Sequence, residues 1–220
     1  MRGIDPAQKQ ELPAQYPYVV EDIVTLCRPR PGVWLDIGSG SGSLGLALAA
    51  RSTESVVVLL DPRAEALERA LVAASGQGLR SRVVAVIGSA EKMPLPDACV
   101  DLVVSRGSIF FWQDRAQGIR EAYRVLRPGG EAMIGGGLGR GYPAWARAEF
   151  IRRQRESQRR KGPEAMRKFR EARSRETFER LAREAGLSRF AVLGEGGLDE
   201  DAPDTGVGIW LRFGMEDSGP

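Results

Sequence analysis

The sequence predicts a doubly wound α/β fold, a mostly parallel seven-stranded sheet with helices on both faces, plus a helical insertion. Three observations carry that expectation. Short apolar runs alternate with helix-patterned segments. A glycine-rich turn, Gly38-Ser39-Gly40-Ser41-Gly42, follows the first apolar run. An aspartate, Asp61, closes the second. With 220 residues, 42% of them apolar and 28% charged, the chain suits one globular domain with a sizeable core.

Taken in order, Tyr16 to Cys27 carries Val19, Val20, Ile23 and Val24 at helical spacing and stops at Arg28-Pro29-Arg30-Pro31-Gly32. Residues 1–32 therefore read as an N-terminal helical cap. Val33 to Ile37 is a strand, and Ser43 to Ala50, rich in Ala and Leu, is a helix. Val56 to Leu60 is apolar throughout, as a strand covered on both faces should be. Pro62 is placed at the first position of a helix reaching about Ser75. Strands follow at Arg82 to Ile87, Val100 to Val104 and Ala132 to Gly135, with a helix from Ala116 to Leu126 before the last. Residues 33–137 form the ligand-binding core. The alternation then breaks over residues 138–173. It resumes in 174–220 with a helix from Arg175 to Ala185, capped by Ser174 and ended by Gly186. Two closing strands, Phe190 to Leu193 and Val207 to Phe213, complete the seven.

Composition excludes several chemistries. There is no histidine, so His-dependent triads, His metal sites and His acid–base catalysis are ruled out. The two cysteines, Cys27 and Cys99, lie far apart in apolar surroundings; they read as buried thiols and offer no zinc spacing, so no metal is expected. No apolar run reaches a membrane span and the N-terminus lacks a signal-peptide stretch, which places the protein in the cytoplasm. Nothing in the sequence sets an oligomeric state. The net charge is only +3, but residues 147–184 hold 14 Lys and Arg against 7 Asp and Glu, and an acidic tail follows from Glu195.

The glycine turn is the most informative segment. Asp36 stands just before it. Glycines let a backbone approach a ligand that side chains would block, and the next helix aims its N-terminus there. In open α/β sheets, ligands lie at the carboxyl ends of strands. Asp61, nineteen positions beyond Gly42, can accept both hydroxyl protons of a ribose. Strand, glycine turn, helix, strand and aspartate together indicate an adenosine-containing cofactor. Gly40-x-Gly42-x-x-Gly45 also fits the dinucleotide pattern, but Gly38 already follows the strand, and a carboxylate at Asp36 would repel a pyrophosphate.

Leu35-Asp36-Ile37-Gly38-Ser39-Gly40-Ser41-Gly42 resembles the first motif of class I (Rossmann-like) methyltransferases that use S-adenosyl-L-methionine (SAM). Gly88-Ser89-Ala90-Glu91-Lys92-Met93-Pro94-Leu95-Pro96-Asp97, then Val100-Asp101-Leu102-Val103-Val104, resembles the next blocks. Ile119 to Gly130 completes a set in the family's order, closest to its quinone-ring and small-molecule methylators. The resemblance implies SAM as cofactor. Gly38, Gly40 and Gly42 would underlie its methionine and ribose, and Asp36 would face the methionyl end. Asp61 would hold the ribose hydroxyls, with Pro62 and Arg63 bordering the adenine. Ala90 and Glu91 would flank the adenine edge, and the Ser105 carbonyl would meet the methionyl ammonium. Ser89 stands where the family usually has Asp, so adenine recognition is weaker there or falls to Glu91.

The implied reaction is in-line methyl transfer to a small-molecule acceptor, acidic or aromatic in character. A nucleic acid acceptor, or SAM binding without turnover, is the alternative. A general base, if one is used, comes from Asp114, Tyr16, Tyr18 or Glu21. The acceptor-facing loop, Ser105 to Asp114, joins Arg106 to three aromatics, Phe110, Phe111 and Trp112, which either enclose an apolar body or pack inward. Residues 138–173 read as a helical lid with an apolar face of Trp145, Ala148, Phe150 and Ile151. Its basic run is either a solvated surface or a positive cover over an anionic acceptor.

Overall fold

The computed structural model describes residues 11–194 and 208–216. Most of the acidic tail and the start of the last expected strand lie outside them. The described chain runs α1 (Tyr16–Cys27), β1 (Val33–Ile37), α2 (Ser43–Arg51), β2 (Val56–Asp61), α3 (Ala64–Gly76), β3 (Val83–Ile87), β4 (Val100–Arg106), α4 (Arg115–Val125), β5 (Leu126–Gly136), α5 (Ala144–Lys161), α6 (Pro163–Glu171), α7 (Arg175–Glu184), β6 (Ala191–Gly194) and β7 (Ile209–Gly214). The seven strands form one sheet in the order β3-β2-β1-β4-β5-β7-β6. β7 is the antiparallel member, inserted between β5 and β6.

The chain reverses direction across the sheet between β1 and β4, which pair in parallel. A crevice therefore opens beyond their carboxyl ends. Strand alternation splits the core in two. Leu35, Ile37, Val58, Leu60 and Val103 pack with Ile119 of α4 and Phe178 of α7. Trp34, Val57, Leu59, Leu102 and Val104 pack with Ile23 of α1, Leu48 of α2 and Leu67 of α3. Burial on both faces explains why these strands are apolar runs rather than alternating ones.

Three expectations need correction. Pro62 does not begin α3: Arg63 stays extended and the helix starts at Ala64, because the Arg63 N–H donates to the Asp61 carboxylate at 3.0 Å. Cys27 is buried, and burial, reinforced by the Glu131 charge, pushes its thiol up to about 12, whereas Cys99 is only half-buried. The apolar face of α5 is the expected one only at Phe150 and Ile151. Trp145 is 45% exposed and Ala148 is exposed, while Ala146, Phe150 and Ile151 pack with Leu138, Tyr142, Tyr18 and Leu12.

The four carboxylates of the hairpin α5–α6 are all ion-paired within it, although its ten Lys and Arg outnumber them. Glu149 pairs with Arg152 and Arg153, Glu156 with Arg152 and Arg160, Glu164 with Lys168, and Glu171 with Arg167. Most are (i, i+4) pairs on solvated faces, the arrangement of an ordinary charge-laced helix. Among the described residues, no helix is long and apolar enough to cross a membrane.

Candidate active site

At the carboxyl ends of β1, β2 and β4 lies a cleft of about 1080 Å³. Its wall is assembled from four segments: Gly38 of the glycine turn, Asp61 to Arg63, Gly88 to Glu91, and Arg106 to Asp114 without Ile109 and Phe110. Residues up to 76 positions apart in the sequence thus meet at one site.

The glycines of the turn have different structural duties. Gly38, Gly40 and Gly42 all have positive φ. A side chain at Gly42 would strike Ala70 Cβ at 2.8 Å, so this glycine is required by packing of α2 against α3. At Gly40 a Cβ would find only the tip of Arg63, at 3.8 Å; the space beside it is open. The Gly40 N–H donates to Asp61 Oδ2 at 2.8 Å, tying the turn to the end of β2.

The two aspartates also differ. Asp36 is fully enclosed, and its Oδ2 accepts from the Gly45 N–H in the first turn of α2 at 2.9 Å. It stands behind the glycine turn and not on the cleft wall. Burial pushes its carboxyl up to about 7, the Gly45 hydrogen bond opposes this, and the Asp61 charge adds to it. Asp61 lies at the cleft under the Arg63 guanidinium, whose Nε is 3.1 Å from Oδ1. Burial alone would raise this carboxyl, but the Arg63 and Gly40 hydrogen bonds prevail and hold it below its usual value.

Asp36 makes stability pH-dependent. A folded value of about 7 against an ordinary 3.8 means that the folded chain holds the extra proton through that interval. Its contribution is fully present below pH 3.8 and is lost as the pH rises through about 7. Asp36→Asn keeps an acceptor for Gly45 without the charge. Its melting temperature is expected to gain on the wild type as the pH rises from 4 to 8, roughly the window of that shift. Parallel melting curves across this range would contradict the assignment.

Of the remaining expected residues, Ser89, Ala90 and Glu91 line the cleft and Ser105 does not. Ser89 pairs across a short bridge with Lys92, and Ala90 is buried in the core beneath the cleft. Glu91 accepts from the Gln113 N–H at 2.8 Å, which fixes the loop after β4 to the β3–β4 connection. Ser105 is buried in β4, and its hydroxyl lies 2.6 Å from that of Ser108. Ser108 was not singled out by the sequence, yet its Oγ donates to the Ile37 carbonyl at 2.8 Å and accepts from Trp112 Nε1 at 3.1 Å. It staples the loop to the end of β1. A serine three positions beyond a buried strand residue carries no distinctive sequence signal.

None of the acid–base candidates stands alone at the cleft. Asp114 lines it, but Oδ1 caps α4 by accepting from Gln117 N–H. Tyr16 lies 5.1 Å beneath the Arg106 guanidinium, Tyr18 packs edge-on to Tyr142, and Glu21 pairs with Arg51. Arg106 reaches the cleft while its side chain donates to the Gly137 carbonyl at 2.7 Å and to Gln15 Oε1. The three aromatics divide. Phe110 and Trp112 pack inward, whereas Phe111 is 86% exposed on the cleft wall.

The residues present fit an adenosyl ligand. A carboxylate ends β2 at the cleft, and open space adjoins Gly40. The buried Ser39 Oγ in the turn has no hydrogen-bond partner, as expected of a group awaiting a polar ligand.

A family model described as a methyltransferase domain matches residues 35–134. Over 102 residues the chain is 42% identical to the chloroplastic 2-methyl-6-phytyl-1,4-hydroquinone methyltransferase 2 of Oryza sativa subsp. japonica, covering 46% of this chain and 28% of that protein. It is 32% identical over 101 residues to the ubiquinone/menaquinone biosynthesis C-methyltransferase of Geotalea daltonii, covering 46% and 43%. The chain thus spans less than half the length of either curated relative. The crystal structure of a candidate S-adenosyl-L-methionine-dependent methyltransferase from Methanococcus maripaludis aligns with a TM-score of 0.72 and 32% identity, over 93% of this chain and 87% of that one. The chain belongs to the family of SAM-dependent methyltransferases, with SAM as its cofactor.

Proposed function

We propose that the protein transfers a methyl group from SAM to a ring-bearing small molecule of the hydroquinone type. One observation carries the reading: the glycine turn, Asp61 and the exposed ring of Phe111 border the same cleft. The names of the Oryza and Geotalea relatives support the acceptor class.

SAM supplies a sulfonium methyl already activated for displacement. The work left to the chain is alignment and exclusion of water. Gly38 and Gly40 give the cofactor close access to the backbone. Asp61 accepts from the ribose hydroxyls once Arg63 swings aside, which its 67% exposed side chain permits. Pro62, Ser89, Ala90 and Glu91 border the adenine, while Asp36 supports the turn from behind. Arg106, Phe111 and Trp112 face the acceptor, and the α5–α6 hairpin serves as a cover over it.

Incubation with methyl-labelled SAM and alkylated 1,4-hydroquinones tests the reading. Label is expected in a ring-bearing product. Binding of SAM with label transferred only to nucleic acid or protein would overturn it.

A further inference from the structure

Beyond the cleft wall, two guanidinium groups gather on one ring. Arg173, just after α6, stacks 3.5 Å from the centre of Phe110 and 3.9 Å from that of Phe169. Arg115, the first residue of α4, lies 5.9 Å from the centre of the same Phe110 and donates weakly to the Phe110 carbonyl at 3.5 Å. Both side chains are partly buried. Among the described residues, neither has a carboxylate partner. Neighbouring Arg180, by contrast, is matched by Glu184.

Like charges held together away from water are costly unless a counter-charge joins them. The cost is visible in both groups. Burial, then the Arg115 charge, pushes Arg173 down to about 10; burial, then the Arg180 charge, lowers Arg115. Aromatic faces satisfy the flat sides of a guanidinium but leave its in-plane N–H donors free. Those donors form the fork that takes a carboxylate or phosphate. In sequence, Phe110 directly precedes Phe111 and Trp112, which line the cleft.

We propose that Arg115 and Arg173 form an anion subsite that holds the acidic group of a ring-bearing acceptor, with its apolar body against Phe111 and Trp112. The inference rests on the methyl-transfer reading above and narrows its acceptor to one carrying a carboxylate or a phosphate. Arg173 lies beyond the segment matched by the methyltransferase-domain model, which ends at residue 134. The subsite is therefore a feature that the family match does not supply. It also gives the hairpin a specific duty, because the anion would bind the segment after α6 to the acceptor-facing loop.

The test is calorimetric titration of the full chain with benzoate, phenyl phosphate and benzyl alcohol, each with and without S-adenosylhomocysteine. Benzoate or phenyl phosphate is expected to bind more tightly than benzyl alcohol by at least about tenfold, and the better of the two identifies the acid. Arg115→Met and Arg173→Met should each weaken that anion by about tenfold or more, while Arg173→Lys should restore part of the loss. Methionine keeps the apolar stem between the two rings, so the Arg173→Met chain should melt no lower than the wild type. No preference for an anion, or wild-type anion affinity in both methionine variants, would overturn the subsite. A lowered melting temperature with unchanged anion affinity would overturn it also, leaving Arg173 as a structural clamp. Failure of S-adenosylhomocysteine to bind would instead strike the methyl-transfer reading, and the titrations without it keep the two failures apart.

Discussion

Gly40→Val is expected to abolish measurable SAM binding while the chain still folds. At Gly40 an added side chain meets only the flexible end of Arg63 and otherwise enters open space beside the cleft. The protein therefore loses little packing. It does incur strain at φ +55, of about 1–2 kcal/mol, as for any L-residue held in the left-handed region. A cost of that size lowers the melting temperature of a chain this long by about 2–8 °C. The cofactor suffers far more, because the branched side chain stands where its backbone contact should be. Affinity should fall beyond roughly a hundredfold, or about 2.7 kcal/mol. Gly42→Val is the contrast. There the side chain drives into Ala70 and Leu59, and loss of folding is expected. Calorimetry beside a thermal melt separates the two. Gly40→Val with wild-type affinity would remove the turn from the cofactor site.

Asp61→Ala should weaken SAM by about 1.5–3 kcal/mol, the loss typical of hydrogen bonds to a charged group. That is roughly 10- to 150-fold in the dissociation constant. The fold should survive, since the residue sits at a strand end and the groups it releases, Gly40 N–H and the exposed Arg63, can turn to water. Asp61→Asn keeps one acceptor oxygen and should fall between the two. Removal of Arg63 provides a control: it uncovers the carboxylate without deleting it, so SAM affinity should change far less than in Asp61→Ala. An unchanged affinity in Asp61→Ala would show that another group holds the ribose.

The parts of the molecule written in local patterns were legible in the sequence. Apolar runs gave β1, β2 and β4 because strands covered on both faces need no polar side, and Ser174 and Gly186 marked α7 because caps are short-range devices. Errors arose where a side chain reached across the pattern. Pro62 looked like a helix start until the Asp61 carboxylate claimed the Arg63 N–H and delayed the helix to Ala64. Trp145 and Ala148 fitted an apolar face as well as Phe150 and Ile151 did, but Ala146 is the residue that joins those two against Tyr18 and Leu138. In the site, the glycine turn and Asp61 were readable because their spacing follows one βαβ unit. The occupation of Arg106 by Gln15 and Gly137 was not, nor was the meeting of Arg173 with Phe110, since both join residues more than thirty positions apart.

The central claim is that the cleft at the ends of β1, β2 and β4 is a SAM site governed by Asp61. Isothermal titration of the wild type with SAM, S-adenosylhomocysteine and NAD tests it most directly, with Asp61→Ala as reference. Both adenosyl ligands should bind, NAD should not, and a concentration of SAM at 100 times its dissociation constant should stabilise the fold by about 2.7 kcal/mol. Heat of binding with NAD and none with SAM would contradict the account.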